Sequence, residues 1–183
     1  RWEDPWGMGT PREQHRFAEC NRVLAEHLIP ALPASARRPG TLTKVGSILE
    51  IGCGEGHQSE HLARLCEQVT GVEVSPVALA RARKRVPTGV FHTGDLFDQP
   101  WVDEAARFDI VAAFEVLCHV RDIPRTIETM NRLGRGCVAS WFYKDEASVA
   151  PHVRAMPVLG EHEIVHGDYR WTVAWWLSPT HPR

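Results

Sequence analysis

A glycine-rich loop is the part of this sequence best suited to bind a ligand. The apolar run 47–51 leads into Gly52, Gly54 and Gly56, so that every second position of the loop is glycine. Glycine tolerates positive φ angles and lets backbone N–H groups come close to a bound molecule. His57 then begins a predicted helix, whose first amides face the same place. The pattern therefore predicts a buried strand that feeds a ligand-binding turn.

Two carboxylates, Glu50 and Glu55, flank or occupy this loop. A loop that holds the pyrophosphate of a dinucleotide has the spacing G-x-G-x-x-G, whereas the spacing here is G-x-G-x-G. Acidic side chains repel phosphate and attract cations. We therefore expect a positively charged ligand rather than a dinucleotide.

Three segments together resemble the motifs of class I S-adenosylmethionine (SAM) dependent methyltransferases. The segment 50–56, E-I-G-C-G-E-G, is similar to the first motif of that family. The segment 69–75 is similar to the second strand, and Glu73 lies roughly 20 residues beyond the loop, as the ribose-binding acid should. The segment 90–96, which contains Asp95, is similar to the third strand. Three matches in the right order are far more specific than one.

The resemblance implies SAM as the cofactor and assigns it a set of binding residues. The backbone of Gly52 and Gly54 is expected to hold the methionine end, and Glu73 the ribose hydroxyls. Val74 is expected to cover one face of the adenine, while Asp95 and Leu96 meet its edge. The full set of expected cofactor-binding residues is Glu50, Gly52, Gly54, Gly56, Glu73, Val74, Asp95 and Leu96.

The segment after the fourth predicted strand, Glu115-Val-Leu-Cys-His119, holds the expected catalytic residues. Methyl transfer is an in-line displacement, so the protein mainly aligns the reactants and removes a proton. Glu115 and His119 are one helical turn apart if this segment is helical, and histidine is the residue type whose ordinary pKa suits proton transfer near neutral pH. The alternative is structural, because the pattern E-V-L-x-H-V often packs or hydrogen-bonds instead of catalysing.

The same segment argues against a bound metal. Small-RNA 3′-terminal methyltransferases hold a divalent cation with E-x-x-E-H and a later histidine. Here Cys118 replaces the second carboxylate, and a thiol suits hard cations poorly. His162 and His166 lie in a predicted strand that would not obviously reach the site. We therefore expect no metal.

Composition bounds the remaining possibilities. The 183 residues suit one domain, 1–183, with an N-terminal lid and helix at 1–40 and a Rossmann-like core at 41–183. The net charge of -2 does not point to nucleic acid or a membrane. The five cysteines form no C-x-x-C pair, so a reducing cytoplasm is expected. No apolar run is long enough to span a membrane, and the N-terminus lacks a signal-type apolar region.

The order of the predicted elements indicates an α/β fold. A helix is expected from Pro11 and is ended by Pro30 and Pro33. Strands and helices then alternate, including helices at about 76–86 and 122–133 and strands at 109–114 and 137–143. The tail 161–176 is typical of a hairpin that turns at Gly167-Asp168. We therefore expect a Rossmann-like doubly wound, mostly parallel seven-stranded sheet with a C-terminal antiparallel hairpin.

The sequence gives weaker signals about the methyl acceptor. The Asn/Asp-Pro-Pro-aromatic motif is absent after strand four, which argues against a base amine or a protein amide. Asp4-Pro5-Trp6 and the Glu13 region resemble NodS-type N-methyltransferases, which modify the free amine of a chito-oligosaccharide. Trp2 and Trp6 are expected to belong to a lid. Arg81, Lys84 and Arg85 share a helix face, where a solvated surface is favoured over an RNA contact.

These signals favour a small-molecule or oligosaccharide acceptor, with N-methylation of a sugar amine as the preferred reaction. Three alternatives remain at this point: a small-molecule O-methyltransferase, a metal-dependent RNA 3′-terminal methyltransferase, and a SAM-binding module without catalysis.

Overall fold

A mixed seven-stranded sheet organises the chain. The structure is a computed structural model, and it describes residues 7–38, 40, 43–105 and 107–181. The strand order is β3-β2-β1-β4-β5-β7-β6, with β1 to β5 parallel and β7 antiparallel to both of its neighbours. The predicted fold class is confirmed. The strands are β1 Val45–Ile51, β2 Cys66–Glu73, β3 Val90–Thr93, β4 Phe108–Phe114, β5 Gly134–Phe142, β6 Val158–His166 and β7 Tyr169–Leu177.

Helices cover both faces of the sheet. The helices α1, α3 and α4 pack on one face, and α5 and α6 pack on the other. No helix of the described ranges is both long and apolar enough to cross a membrane. The helices are α1 Pro11–Val23, which continues through a π-helical turn Leu24–Leu28 into α2 Ile29–Ala31, then α3 His57–Leu62, α4 Pro76–Arg85, α5 Ile123–Leu133 and α6 Glu146–Arg154.

Two element boundaries and one helix differ from the sequence-based expectation. The first helix continues past Pro30 to Ala31, because the π-helical turn just before it shifts the backbone hydrogen bonds out of the register that a proline would break. Strand β5 begins at Gly134 instead of 137, since this glycine is extended and lies so close to Val111 that a Cβ would be 2.8 Å from that side chain. Helix α6 was not predicted; it contains Pro151, an unfavourable residue inside a helix.

The tryptophans of β7 lie on both sides of the sheet, because successive side chains of a strand point to opposite faces. Trp171 and Trp175 lie in the core on the α1 face, and Trp176 lies in the core on the α5 face. The Trp176 indole donates a 2.8 Å hydrogen bond to the side chain of Asn131 in α5. Both faces of β7 are therefore buried in the core. Only the start of β7 reaches the carboxyl edge of the parallel strands.

Candidate functional site

A cleft of about 1380 Å³ opens at the carboxyl edge of the sheet. It lies at the end of β1, whose two neighbours in the sheet are β2 and β4, so the strand order reverses at this point. Open α/β sheets bind ligands at such a switch point. Its walls are the glycine loop, the segments that follow β2 to β5, the start of β7 and the N-terminal half of α1. Pockets for one small molecule usually measure about 300–1,000 Å³, so this cleft has room for two ligands side by side.

The three loop glycines all have positive φ angles, of 67° at Gly52, 52° at Gly54 and 79° at Gly56. Their surroundings differ. A Cβ on Gly52 would lie 2.4 Å from the Val116 side chain, and one on Gly56 would lie 2.9 Å from the Ala82 backbone. A Cβ on Gly54 would meet nothing within 4 Å. Gly52 and Gly56 are therefore needed for close packing, while the backbone at Gly54 faces open space.

Glu73 joins the loop to the end of β2. One of its carboxylate oxygens accepts a hydrogen bond from the Gly54 N–H at 3.1 Å, and the other accepts one from the Ser75 N–H at 2.9 Å. Each carboxylate oxygen has two lone pairs, so both retain an acceptor site. The half-buried side chain lines the cleft and can accept two further hydroxyl donors, as a ribose would provide.

The residues expected around the adenine lie beside Glu73. Val74 is 66% exposed and can cover an aromatic ring. Asp95 follows β3 and accepts a hydrogen bond from the Phe97 N–H at 3.0 Å, which fixes its carboxylate at the rim. The Leu96 side chain is buried in the core beneath the site. All three residues line the cleft together with the glycine loop.

The two acidic side chains of the loop are not equivalent. Glu55 forms an ion pair with Arg81 of α4, so its charge already has a protein partner. Glu50 is 3% exposed at the floor of the cleft and accepts a hydrogen bond from the Ser59 hydroxyl. Burial raises the pKa of Glu50 to about 7, although the Ser59 hydrogen bond and the charge of Arg16 oppose this rise. Of the two, Glu50 is the carboxyl that remains to meet a cationic ligand.

Glu115 is the most constrained residue of the cleft. Its φ of 56° is the single positive value among the non-glycine residues that the structure describes. Ser140 of β5 holds it twice: the Ser140 carbonyl accepts from the Glu115 N–H, and the Ser140 hydroxyl donates to the Glu115 carboxylate, both at 3.1 Å. Burial raises the pKa of Glu115 to about 7, opposed by Arg16 and by the Ser140 hydroxyl. Strained backbone of this kind concentrates at functional sites.

The expected helical turn linking Glu115 to His119 is not formed. The positive φ of Glu115 breaks the helix, and a short 3₁₀ turn, Leu117–His119, follows. His119 lies exposed on the wall of the cleft. Glu115 is thus held against β5, whereas His119 belongs to a separate turn at the rim.

His162 and His166, the two histidines of the predicted hairpin, are not among the residues that line the cleft. His162 contacts Glu19 and Arg22 on α1, and the ring of His166 lies 5.6 Å from that of His15. Within the described ranges, no group of three or more His, Cys, Asp or Glu side chains could hold a metal ion.

The arginines of α4 that share a helix face are paired with carboxylates of the protein. Arg81 contacts Glu55, and Arg85 lies 3.6 Å from Glu60.

Helix α1 contributes site residues that the sequence did not suggest. Glu13 and Arg16 form a 2.8 Å ion pair whose side chains are only 8% and 4% exposed, and both line the cleft. The sequence does contain a signal for both residues. Glu13 lies four residues before Phe17 and Arg16 four residues before Cys20, and residues four apart share one face of a helix. Ser140, Phe142 and Tyr169 were also missed, since strand residues of these types usually pack or face solvent.

The expected N-terminal lid can be followed only in part. The N-terminal half of α1, from Arg12 to Phe17, lines the cleft. Trp2 and the Asp4-Pro5-Trp6 segment lie outside the described residues. Closure of a lid over the cleft, like the proposed division at residue 40, stays a prediction.

Comparison with known proteins adds a family to this geometry. The family model described as a methyltransferase domain matches residues 49–136. Nodulation protein S of Bradyrhizobium diazoefficiens is 33% identical over 129 residues, which cover 66% of this chain and 51% of that protein. Ubiquinone biosynthesis O-methyltransferase of Methylobacterium nodulans is 42% identical over 134 residues, which cover 70% and 51%. The matched region thus spans about half the length of these curated relatives.

Solved structures agree with the fold. The N-methyltransferase NodS of Bradyrhizobium japonicum, in complex with S-adenosylhomocysteine (SAH), has a TM-score of 0.74 at 21% identity and covers 98% of this chain and 94% of that one. Magnesium protoporphyrin IX methyltransferase of Synechocystis, with bound SAM, has a TM-score of 0.62 at 19% identity and covers 89% and 80%. At these identities the likeness concerns the fold alone.

Proposed function

Because this chain belongs to the class I SAM-dependent methyltransferases, we propose that it transfers a methyl group to a small-molecule or oligosaccharide acceptor, with the amine nitrogen of a sugar as the methylated atom. The observation that carries the choice of an amine is the Glu115 carboxyl. It lies in the same cleft as the cofactor-binding residues and has a pKa of about 7. A base of this strength suits an acceptor that loses its proton near neutral pH.

The residues of the cleft fit SAM. Glu73 keeps free acceptor sites for two hydroxyls, Asp95 and Val74 lie beside it, and the Gly54 backbone faces open space. The buried Glu50 provides a carboxyl for the positively charged end of the cofactor. When bound, SAM supplies a methyl group on a carbon that its sulfonium has already activated.

Glu115 then removes the proton that keeps an amine from reacting. An amine near neutral pH is largely protonated, so its lone pair becomes available only when a base accepts that proton. The positive φ and the hydrogen bond to the Ser140 carbonyl fix the Glu115 backbone, and the Ser140 hydroxyl holds its carboxyl, which aligns the base before the acceptor binds. His119 is the alternative base, placed at the rim. An aliphatic alcohol would need stronger activation, as a metal ion provides.

The similar proteins point to two different acceptor atoms, nitrogen and oxygen. Nodulation protein S supports N-methylation through the fold shared with the N-methyltransferase NodS. The 42% identity to a ubiquinone biosynthesis O-methyltransferase favours a second candidate, O-methylation of a phenolic acceptor. A phenol loses its proton near pH 10, far more easily than an aliphatic alcohol, so a carboxylate base can serve it.

The test is mass spectrometry of acceptors incubated with SAM and the protein. The acceptors are partially deacetylated chito-oligosaccharides, their fully N-acetylated counterparts, and a set of phenols. We expect methylation of the deacetylated sugars alone, reduced about 100-fold or more in Glu115→Gln while SAH binding is unchanged. Methylation of phenols alone would establish the second candidate. SAH binding without turnover on any acceptor would indicate a SAM-binding module without catalysis.

We also place the enzyme in the cytoplasm. All five cysteines are free thiols, and four of them are buried. Free thiols persist in reducing compartments. Burial raises the pKa of the partly exposed Cys118 thiol to about 11, so it stays protonated in the cleft.

A further inference from the structure

One end of the cleft is left over once the cofactor residues are assigned. The expected SAM-binding residues all lie at or just after the ends of β1, β2 and β3, on one side of the switch point. The other side is formed by the ends of β4 and β5, the start of β7 and the first half of α1. Glu115, which follows β4, lies between the two halves. The acceptor has to occupy the second half, because its nucleophile must reach both the base and the methyl group.

Three aromatic side chains line this second half. Phe142 of β5 is paired in register with Trp171 of β7, and Tyr169 lies two residues earlier on the same face of β7. The Phe142 ring is 5.7 Å from that of Trp171 and 6.0 Å from that of Tyr169. The rings of Tyr169 and Trp171 are nearly parallel, at 17° and 6.0 Å. The three rings therefore form one continuous apolar wall.

The wall is open to a ligand at one place. Trp171 is only 3% exposed and forms the back of the wall. Tyr169 is 42% exposed and Phe142 is half-buried, and both line the cleft. An exposed aromatic side chain in a cleft offers a flat apolar surface on which a ring can stack. Phe142 provides that surface here, together with the part of the Tyr169 ring that Arg12 and Trp171 leave exposed.

Carboxylates surround the wall. Glu13, Glu115 and Asp145 all line the cleft, and the charges of Glu13 and Asp145 act on Glu115. The Arg12 guanidinium lies 4.2 Å from the centre of the Tyr169 ring and is hydrogen-bonded to Glu13 at 3.0 Å. The Tyr169 ring and the Glu13 carboxylate together thus already bind one cation, the guanidinium of Arg12. This combination attracts cationic ligands in general.

We propose that Phe142, Tyr169 and Glu115 form the acceptor subsite, and that it takes a ring-shaped amine such as an amino sugar. The apolar face of the ring packs on Phe142 and on the exposed part of the Tyr169 ring, and the amine meets the carboxyl of Glu115. Arg12 holds the Tyr169 ring in place from α1. The inference deepens the proposed function, on which it rests, by naming what selects the acceptor.

The experiment measures acceptor binding separately from turnover. A glucosamine disaccharide and the N-acetylated disaccharide are titrated by NMR against the protein saturated with SAH, and SAH affinity is measured by calorimetry. We expect the amine sugar to bind about tenfold more tightly than its acetylated counterpart. Tyr169→Leu should weaken binding of the amine sugar about fivefold to tenfold, whereas Tyr169→Phe, which keeps the ring, should stay within about twofold. SAH affinity should be the same in all variants.

Leu159→Ala is the control. Leu159 is 48% exposed on β6 and is not among the residues that line the cleft. A loss in Leu159→Ala equal to that in Tyr169→Leu, or equal binding of the two sugars, would overturn the subsite. SAH binding without binding of either sugar would also overturn it, while leaving the cofactor part of the proposed function intact. Tyr169-dependent binding of the amine sugar without methylation would support the subsite and refute the proposed activity.

Discussion

Replacing Glu50 by glutamine should make the protein more stable at alkaline pH. Glu50 is 3% exposed at the floor of the cleft and hydrogen-bonded to Ser59. Glutamine has nearly the same shape, and its side-chain oxygen can accept the same hydrogen bond. The change therefore removes a charge from a buried position while retaining the packing around it.

The magnitude follows from the pKa of the buried carboxyl. Burial raises the pKa of Glu50 from 4.5 to about 7 in the folded protein. A raised pKa means that the stability is fully present below about pH 4.5 and is lost as the pH rises to about 7. Each tenfold change in proton affinity corresponds to about 1.4 kcal/mol, so ionisation of Glu50 costs the folded state about 3 kcal/mol at most. Glu50→Gln should avoid this cost.

The assay is urea unfolding of both proteins at pH 5, 7 and 8.5. We expect little difference in the free energy of unfolding at pH 5, and a variant more stable by up to about 3 kcal/mol at pH 8.5. Glu128→Gln, at an exposed position of α5, is the control and should have the same small effect at every pH. If Glu50→Gln is destabilised equally at all three values, Glu50 does not carry a raised pKa and the reasoning is wrong.

Three further predictions concern binding and turnover. Glu73→Ala should weaken SAM binding at least about tenfold while leaving the fold intact, because it removes two charge-assisted hydrogen bonds to the ligand. The melting temperature should fall modestly, since Gly54 and Ser75 also donate to this carboxylate. Calorimetry giving the wild-type dissociation constant would remove Glu73 from the site. Ser140→Ala removes the hydroxyl that favours ionised Glu115, so the pKa of Glu115 should rise. The acidic limb of the pH profile of kcat/KM should therefore move up by about one pH unit. If the limb does not move, it reports the titration of another group. Turnover should be insensitive to EDTA, and its loss on chelation, with recovery on adding Mg²⁺, would favour the metal-dependent alternative.

The fold could be predicted from the sequence, and the residues proposed for the cofactor half of the site could be named from it, because their signals are local. The glycines of the loop satisfy backbone requirements of that loop, and Glu73 is placed by the strand that it ends. Alternating apolar strands and helices permit few arrangements other than a doubly wound sheet. The helix that contains Pro151 was missed for a related reason, since its local signal points away from a helix.

The acceptor half was decided by tertiary structure. The pKa of Glu115 depends on Arg16 in α1 and on Ser140 in β5, and the charge of Glu55 is matched by Arg81 in α4. The aromatic wall exists because β5 and β7 are paired in register, which brings Phe142 beside Trp171. Burial and charge act between residues that are close in space, whatever their separation along the chain. The sequence by itself thus determined the fold and named the residues proposed to bind SAM, and only the folded chain showed which carboxyls lie beside them.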